Sequence, residues 1–364
     1  MASVQHLSWS DLPPELLGLV LKCLPSLADR VRLRAVCHPW RSNARLHSLP
    51  PPLPLLALLD GTFLSIPDGE IIKMHVPDDA CCYGSVDNWL FLVNGDGKCS
   101  LMDPFSEDTV ELPDLATGWH QSMHGCYKFN PVICKLAIPS PLESSLPPIV
   151  ADTIKEWAEL LEPLLDISFF GGKLYAIDCL RKLISIELIE GPGHKPMISS
   201  FKCIIDSGDG LSSRPEPLSS DKAYLVLPYL VEYDGRLLMV RRWICPAPCI
   251  DYDRTWAFDV FAADFSTKPC QWRRVEDLGG HALFVSSNCS KSFPAGKCSG
   301  VQENCIYFIN KFPGLKLVAD PLHDSGVYNM KNGVIVPLLS DTAAVPSNHV
   351  GPWLPTWLFP TQAM

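Results

Sequence analysis

The chain has 364 residues, 47% of them apolar and 19% charged, with a formal net charge of −10. That balance excludes wholesale disorder, and the length suits about two domains with room for a full core. The charge is uneven. Residues 1–50 carry Lys22, Arg30, Arg32, Arg34, Arg41 and Arg45 against Asp11, Glu15 and Asp29, a local +3 that leaves −13 for the remainder. An acidic body argues against duplex nucleic acid as the main partner, because phosphate binding needs a basic footprint. The chain opens without a basic-plus-apolar leader, and no apolar run approaches the length that spans a bilayer. The expectation is an intracellular protein of the cytoplasm or nucleus, with no membrane partner, whose fifteen cysteines are reduced thiols.

The first element in chain order is a short helix opening near Trp9-Ser10-Asp11-Leu12-Pro13-Pro14-Glu15. Asp11 or Ser10 can cap its orphan amides, the first turn tolerates the prolines, and Glu15 suits the positive end of the dipole. Leu16, Leu19, Val20, Cys23 and Leu24 recur at spacings of three and four, which predicts one apolar stripe. Pro25 stops it. Ser26 with Asp29 three residues later predicts a capping box opening a second helix. Pro39 ends that helix, and Trp40 begins a third. Three helices in so few residues bury little surface by themselves. Either the module is a cap packed on its own body, or it leaves an apolar face open for another protein.

Leu12-Pro13-Pro14-Glu15-Leu16, Leu24-Pro25, Leu33-Arg34-Ala35-Val36-Cys37 and Trp40-Arg41, in that order and spacing, resemble an F-box from end to end. The pattern departs at His38-Pro39, where the family more often has a basic residue and a serine. The resemblance implies docking on a Skp-type adaptor, and through it on a cullin scaffold, by Leu12, Pro13, Leu16, Leu19, Val20, Leu24, Leu33, Val36, Cys37 and Trp40.

Next comes Leu49-Pro50-Pro51-Pro52-Leu53-Pro54, whose composition predicts a semi-rigid polyproline spacer. From Leu55 the texture changes to short strands: Trp89–Val93, Lys173–Ile177, Leu183–Ile186, Ala223–Leu227, Arg236–Val240, Trp256–Phe261 and Cys305–Ile309. Asn94-Gly95-Asp96-Gly97, Gly171-Gly172, Asp234-Gly235 and Asn332-Gly333 suit tight hairpins. One segment breaks the pattern: Ile154, Trp157, Leu160, Leu161, Leu164 and Leu165 stand at helical spacing around Pro163. They predict an amphipathic helix packed on the sheets, or a second partner-binding helix. Loosely periodic antiparallel hairpins over this length favour a β-propeller over a sandwich. By length alone it would have six or seven blades.

The body carries its own resemblance. Tyr229–Val240, Trp272-Arg273-Arg274-Val275 with Leu278–Val285, Glu303–Phe308, and the closing Gly351–Pro360 resemble the plant F-box-associated domain of unknown function. The expected architecture is α+β and multidomain. A three-helix module at 5–48 is followed by the spacer at 49–54, a mostly antiparallel all-β, propeller-like body at 55–345, and a Pro/Trp-rich tail at 346–364. The implied function is that of a ubiquitin-ligase substrate receptor, with the β body recruiting a client protein that the resemblance leaves unnamed.

The search for chemistry is flat. Cys81-Cys82 are adjacent and Cys245/Cys249 are four apart, both poor zinc spacings. Gly95-x-Gly97-Lys98 lacks the earlier glycine and the hydroxyl residue of a phosphate loop. His120, His124 and Cys126 form an incomplete ligand set, and Asp78-Asp79 and Asp251/Asp253 read as solvated turns. The expectation is a chain with no catalytic residue, metal or cofactor. A propeller enzyme, or a small-molecule-binding protein with a helical cap, is the alternative.

Overall fold

The computed structural model describes residues 9, 12–24, 26–44, 52–58, 60–78, 80–95, 98–112, 135–137, 149–151, 164–190, 196–206, 225–245, 254–296, 300–309, 322–340, 353 and 355–360. Three helices come first: α1 (Pro14–Lys22), α2 (Leu27–Ala35) and α3 (His38–Ala44). Pro14 opens α1 behind Pro13, which offers no side-chain cap; Ser10 and Asp11 lie outside the described residues. The cap expected on α2 is present, with Ser26 Oγ accepting from the Asp29 amide at 3.4 Å. The third helix starts at His38, two residues earlier than expected. Pro39 falls in its first turn, where a missing amide hydrogen costs nothing. None of the described helices is long and apolar enough to cross a membrane.

All other described elements are strands. The first blade begins with β1 (Leu55–Ala57), β2 (Phe63–Ser65) and β3 (Ile71–Ile72). The second is β4 (Ala80–Val86), β5 (Trp89–Asn94), β6 (Cys99–Met102) and β7 (Thr109–Glu111), paired in that order. A two-stranded pair follows, β8 (Lys135–Ala137) with β9 (Ile149–Ala151), and β8 lies between β4 and the next strand, β10. The third blade is β10 (Leu164–Phe170), β11 (Lys173–Asp178), β12 (Leu183–Glu190) and β13 (Pro196–Ile205). The fourth is β14 (Leu225–Tyr233), β15 (Arg236–Cys245), β16 (Arg254–Asp264) and β17 (Gln271–Arg274). The fifth contains β18 (His281–Val285), β19 (Ser290–Pro294), β20 (Cys305–Phe308), β21 (Gly326–Asn329) and β22 (Ile335–Val336). Its order is β19-β18-β20-β21-β22, with β18 and β20 parallel. The last strand, β23 (Thr356–Leu358), returns to pair with β1.

Among the described residues the body is a propeller with five sheets of four or five strands, where six or seven blades were expected from length, and the two-stranded β8–β9 pair stands between the second and third. The hairpins at Gly171-Gly172 and Asp234-Gly235 hold both central residues at positive φ, as two-residue turns of this hand require. Leu164 and Leu165, expected in a helix, belong to β10. Short apolar runs fit either period, and pairing with β11 decides for strand. Ile154, Trp157, Leu160 and Leu161 lie outside the described residues.

The last strand packs within the ring. β23 completes the first blade, with Leu56 opposite Trp357, so residues 353 and 355–360 of the expected tail lie inside the propeller. The fully buried Trp357 donates its indole N–H to the Val285 carbonyl at 3.2 Å and meets Phe284 edge-on at 5.0 Å. Ser85 donates to the Trp357 carbonyl. One terminal strand thus ties the first blade to the second and the fifth. Pro52, Leu53 and Pro54 of the expected spacer are buried, Leu53 among side chains of the first and fifth blades.

Candidate functional site

The helical module is the most distinctive surface, because α1 is apolar on two sides. Leu17 and Leu21, four residues apart, are fully buried against Leu33 and Ala44, with Leu12, Leu24 and Trp40 half-buried around them. On the other side Leu16 is 49% and Leu19 58% exposed, with Val20 and Cys23 also open to solvent. The doublets Leu16-Leu17 and Val20-Leu21 carry the signal for this: each contributes one residue to each face.

The ten residues expected at a docking face therefore divide. Pro13, Leu16, Leu19, Val20 and Val36 are exposed, Leu12, Leu24, Cys37 and Trp40 are half-buried, and Leu33 is in the module's own core. Sequence reasoning omitted Val31, half exposed on α2, and Trp9, the most exposed large apolar side chain among the described residues. The Trp9 carbonyl accepts from Trp40 Nε1 at 2.9 Å, which anchors the entry to α1. Arg30 is buried and its Nε donates to the Leu24 carbonyl at 2.7 Å, closing the α1–α2 turn. Burial, and then the neighbouring Arg34, lower its pKa.

The module is docked on the propeller. Leu27, at the start of α2, enters an apolar cluster with Leu55, Phe63, Leu90 and Trp353 from the first two blades. Arg32 on α2 pairs with Asp29 at 3.1 Å and, across to the body, with Glu70. The outward face of α1 is left uncovered by these contacts.

Within the blades the buried charges act as ties. Arg241 pairs with Asp259 at 2.9 Å, and Trp243 donates to the same carboxylate at 2.7 Å. The Asp166 carboxylate accepts from the amides of Ile167 and Leu230, at 2.8 and 2.7 Å, and so bridges the third and fourth blades. Burial pushes the Cys82 thiol up to about 12, which keeps it protonated and unreactive. Among the described residues no three His, Cys, Asp or Glu side chains gather as a metal site. His120, His124, Cys126, Cys249, Asp79, Asp251 and Asp253 lie outside the described residues. An open apolar helix face on a rigidly docked module suits protein binding, because burying exposed Leu and Val side chains against a partner is favourable at roughly 25 cal/mol per Å².

Two family models match the two parts of this chain. Residues 63–329 match the family described as KIB1-4 beta-propeller, and residues 9–49 match the one described as F-box-like. The F-box protein At2g26160 of Arabidopsis thaliana is 25% identical over 343 residues, covering 83% of this chain and 95% of that protein. The F-box protein SKIP23, also of Arabidopsis thaliana, is 31% identical over 118 residues, 29% of either chain. A third Arabidopsis thaliana protein, the F-box protein At2g17690, is 47% identical over 49 residues, 12% of either chain.

Proposed function

This chain belongs to the KIB1-4 beta-propeller family and carries an F-box-like module ahead of its propeller, and from that premise we propose that it is the substrate receptor of a Skp–cullin–F-box type ubiquitin ligase. The observation that carries the reading is the second apolar side of α1. Leu17 and Leu21 already fill the module's core, so Leu16, Leu19 and Val20 have no packing role within it and are free to enter a groove of a Skp-type adaptor. In this reading the chain performs no chemistry itself. It holds a client lysine near a conjugating enzyme, and the rate gain is effective concentration. Assignment to the cytoplasm or nucleus follows from the same reading.

Mixing the purified full-length chain with a Skp-type adaptor tests it. The Leu16→Glu/Leu19→Glu double variant should bind at least about tenfold more weakly, as expected when anchors of an interface become charged. Undiminished binding would overturn the assignment of this face.

A further inference from the structure

The third and fourth blades meet at a rim of three rings. Phe265, which follows β16, is 39% exposed. It stacks on Phe170 of β10, with centroids 5.9 Å apart and planes 12° from parallel, and leans on Tyr175 of β11 at 5.7 Å. The loop beneath Phe265 is held in place: Asp264 Oδ1 accepts from the Ser266 amide at 2.9 Å and from its hydroxyl at 2.6 Å. The ring is therefore presented in a fixed position, which lowers the ordering cost of binding.

Two lysines flank this rim. Lys173 is the register partner of Phe170 and so shares its face of the sheet; Lys268 lies three residues beyond Phe265. Both are exposed, and neither is paired with a carboxylate among the described residues. The β10–β11 turn, Phe169-Phe170-Gly171-Gly172-Lys173, and the loop Phe265-Ser266-Thr267-Lys268-Pro269-Cys270 contain no acidic residue; Asp264, directly before Phe265, is engaged by Ser266 and paired with Arg273. A side chain added at Gly171 or Gly172 would meet nothing within 4 Å, so the turn beside the rings is uncrowded.

We propose that Phe170, Tyr175 and Phe265, with Lys173 and Lys268, form a docking site for an extended acidic segment of a client protein. An apolar or aromatic side chain of that segment covers Phe265, and flanking carboxylates meet the two ammonium groups. The proposal rests on reading the propeller as the client-binding part of the receptor.

The probe is a fluorescein-labelled peptide, Gly-Glu-Glu-Leu-Trp-Glu-Glu-Gly, titrated with the full-length chain and followed by fluorescence anisotropy. It should bind about tenfold more tightly than the same peptide with every Glu replaced by Lys. It should likewise outcompete the version with Ala in place of Leu and Trp. The Lys173→Glu/Lys268→Glu variant, and separately Phe265→Ser, should each weaken it about fivefold with an unchanged melting transition. The lysine variant changes only exposed positions, so it decides the matter even if the Phe265 variant unfolds. Equal binding of the charge-reversed peptide, indifference to the lysine variant, or no saturation up to about 1 mM overturns the proposal. Adaptor capture is measured on the same preparations. Its loss would fault the ligase reading alone, and the peptide titration would still judge the rim.

Discussion

Arg242 and Asp324 stand 82 residues apart in the chain and pair at 2.8 Å at the junction of the fourth and fifth blades. Every nitrogen of the guanidinium is used: Nε donates to Thr255 Oγ1 at 2.7 Å, Nη1 to the Ile309 carbonyl at 2.8 Å, and Nη2 also to the Asp324 carbonyl at 2.9 Å. The group lies over the Phe308 ring at 4.8 Å. Asp324 in turn accepts from the Thr255 amide at 2.6 Å. A buried cation is tolerated only when satisfied this fully.

Asp324→Ala leaves that cation buried with one partner removed and should cost about 3–5 kcal/mol in urea denaturation. The double replacement Arg242→Met/Asp324→Leu removes both charges and should cost markedly less. Equal losses would show that packing, not charge pairing, holds this junction.

Leu27 joins the helices to the body, since its side chain lies within the cluster of the first two blades. Leu27→Ala should lower stability by about 2–3 kcal/mol. In hydrogen exchange, protection should fall over 27–35 and in β1 and β5, with the fourth blade unchanged. Removing the helices altogether should likewise destabilise the propeller, because the cluster would then open to water.

The two sides of α1 should respond oppositely. Leu16→Glu and Leu19→Glu alter exposed positions and should change stability by no more than about 0.5 kcal/mol while removing adaptor binding. Leu17→Glu would bury a carboxylate among Leu21, Leu33 and Ala44 and should unfold the module. Circular dichroism separates the two outcomes.

Burial holds the Cys82 thiol protonated to about 12, against an ordinary 9.0. Its folded pKa lies above the unfolded one, so the folded state binds the extra proton between them. The resulting stability is complete below about pH 9 and is lost as pH rises toward 12, at up to about 1.4 kcal/mol per pH unit. Stability measured from pH 8 to 11 should fall less steeply in Cys82→Ala than in the parent. The same slope in both would show that other groups account for the alkaline loss.

The sequence by itself determined the features whose causes are local. The Ser26–Asp29 cap, the glycine turns at 171–172 and 235, and the strand segments Trp89–Val93 and Arg236–Val240 depend on neighbours a few residues away. So does the ordered run of motifs from Leu12 to Trp40. Tertiary structure alone decided which side of α1 faces the core, because adjacent leucines satisfy both faces and only the positions of Leu33 and Ala44 choose between them. It also decided that Leu164 and Leu165 pair as strand, that Trp357 closes the ring against Val285, and that Arg242 is buried against Asp324. Each of these joins segments far apart in the chain. Hydrophobic periodicity records how a residue sits within its own element, and it carries no information about which distant element will supply the other half of the contact.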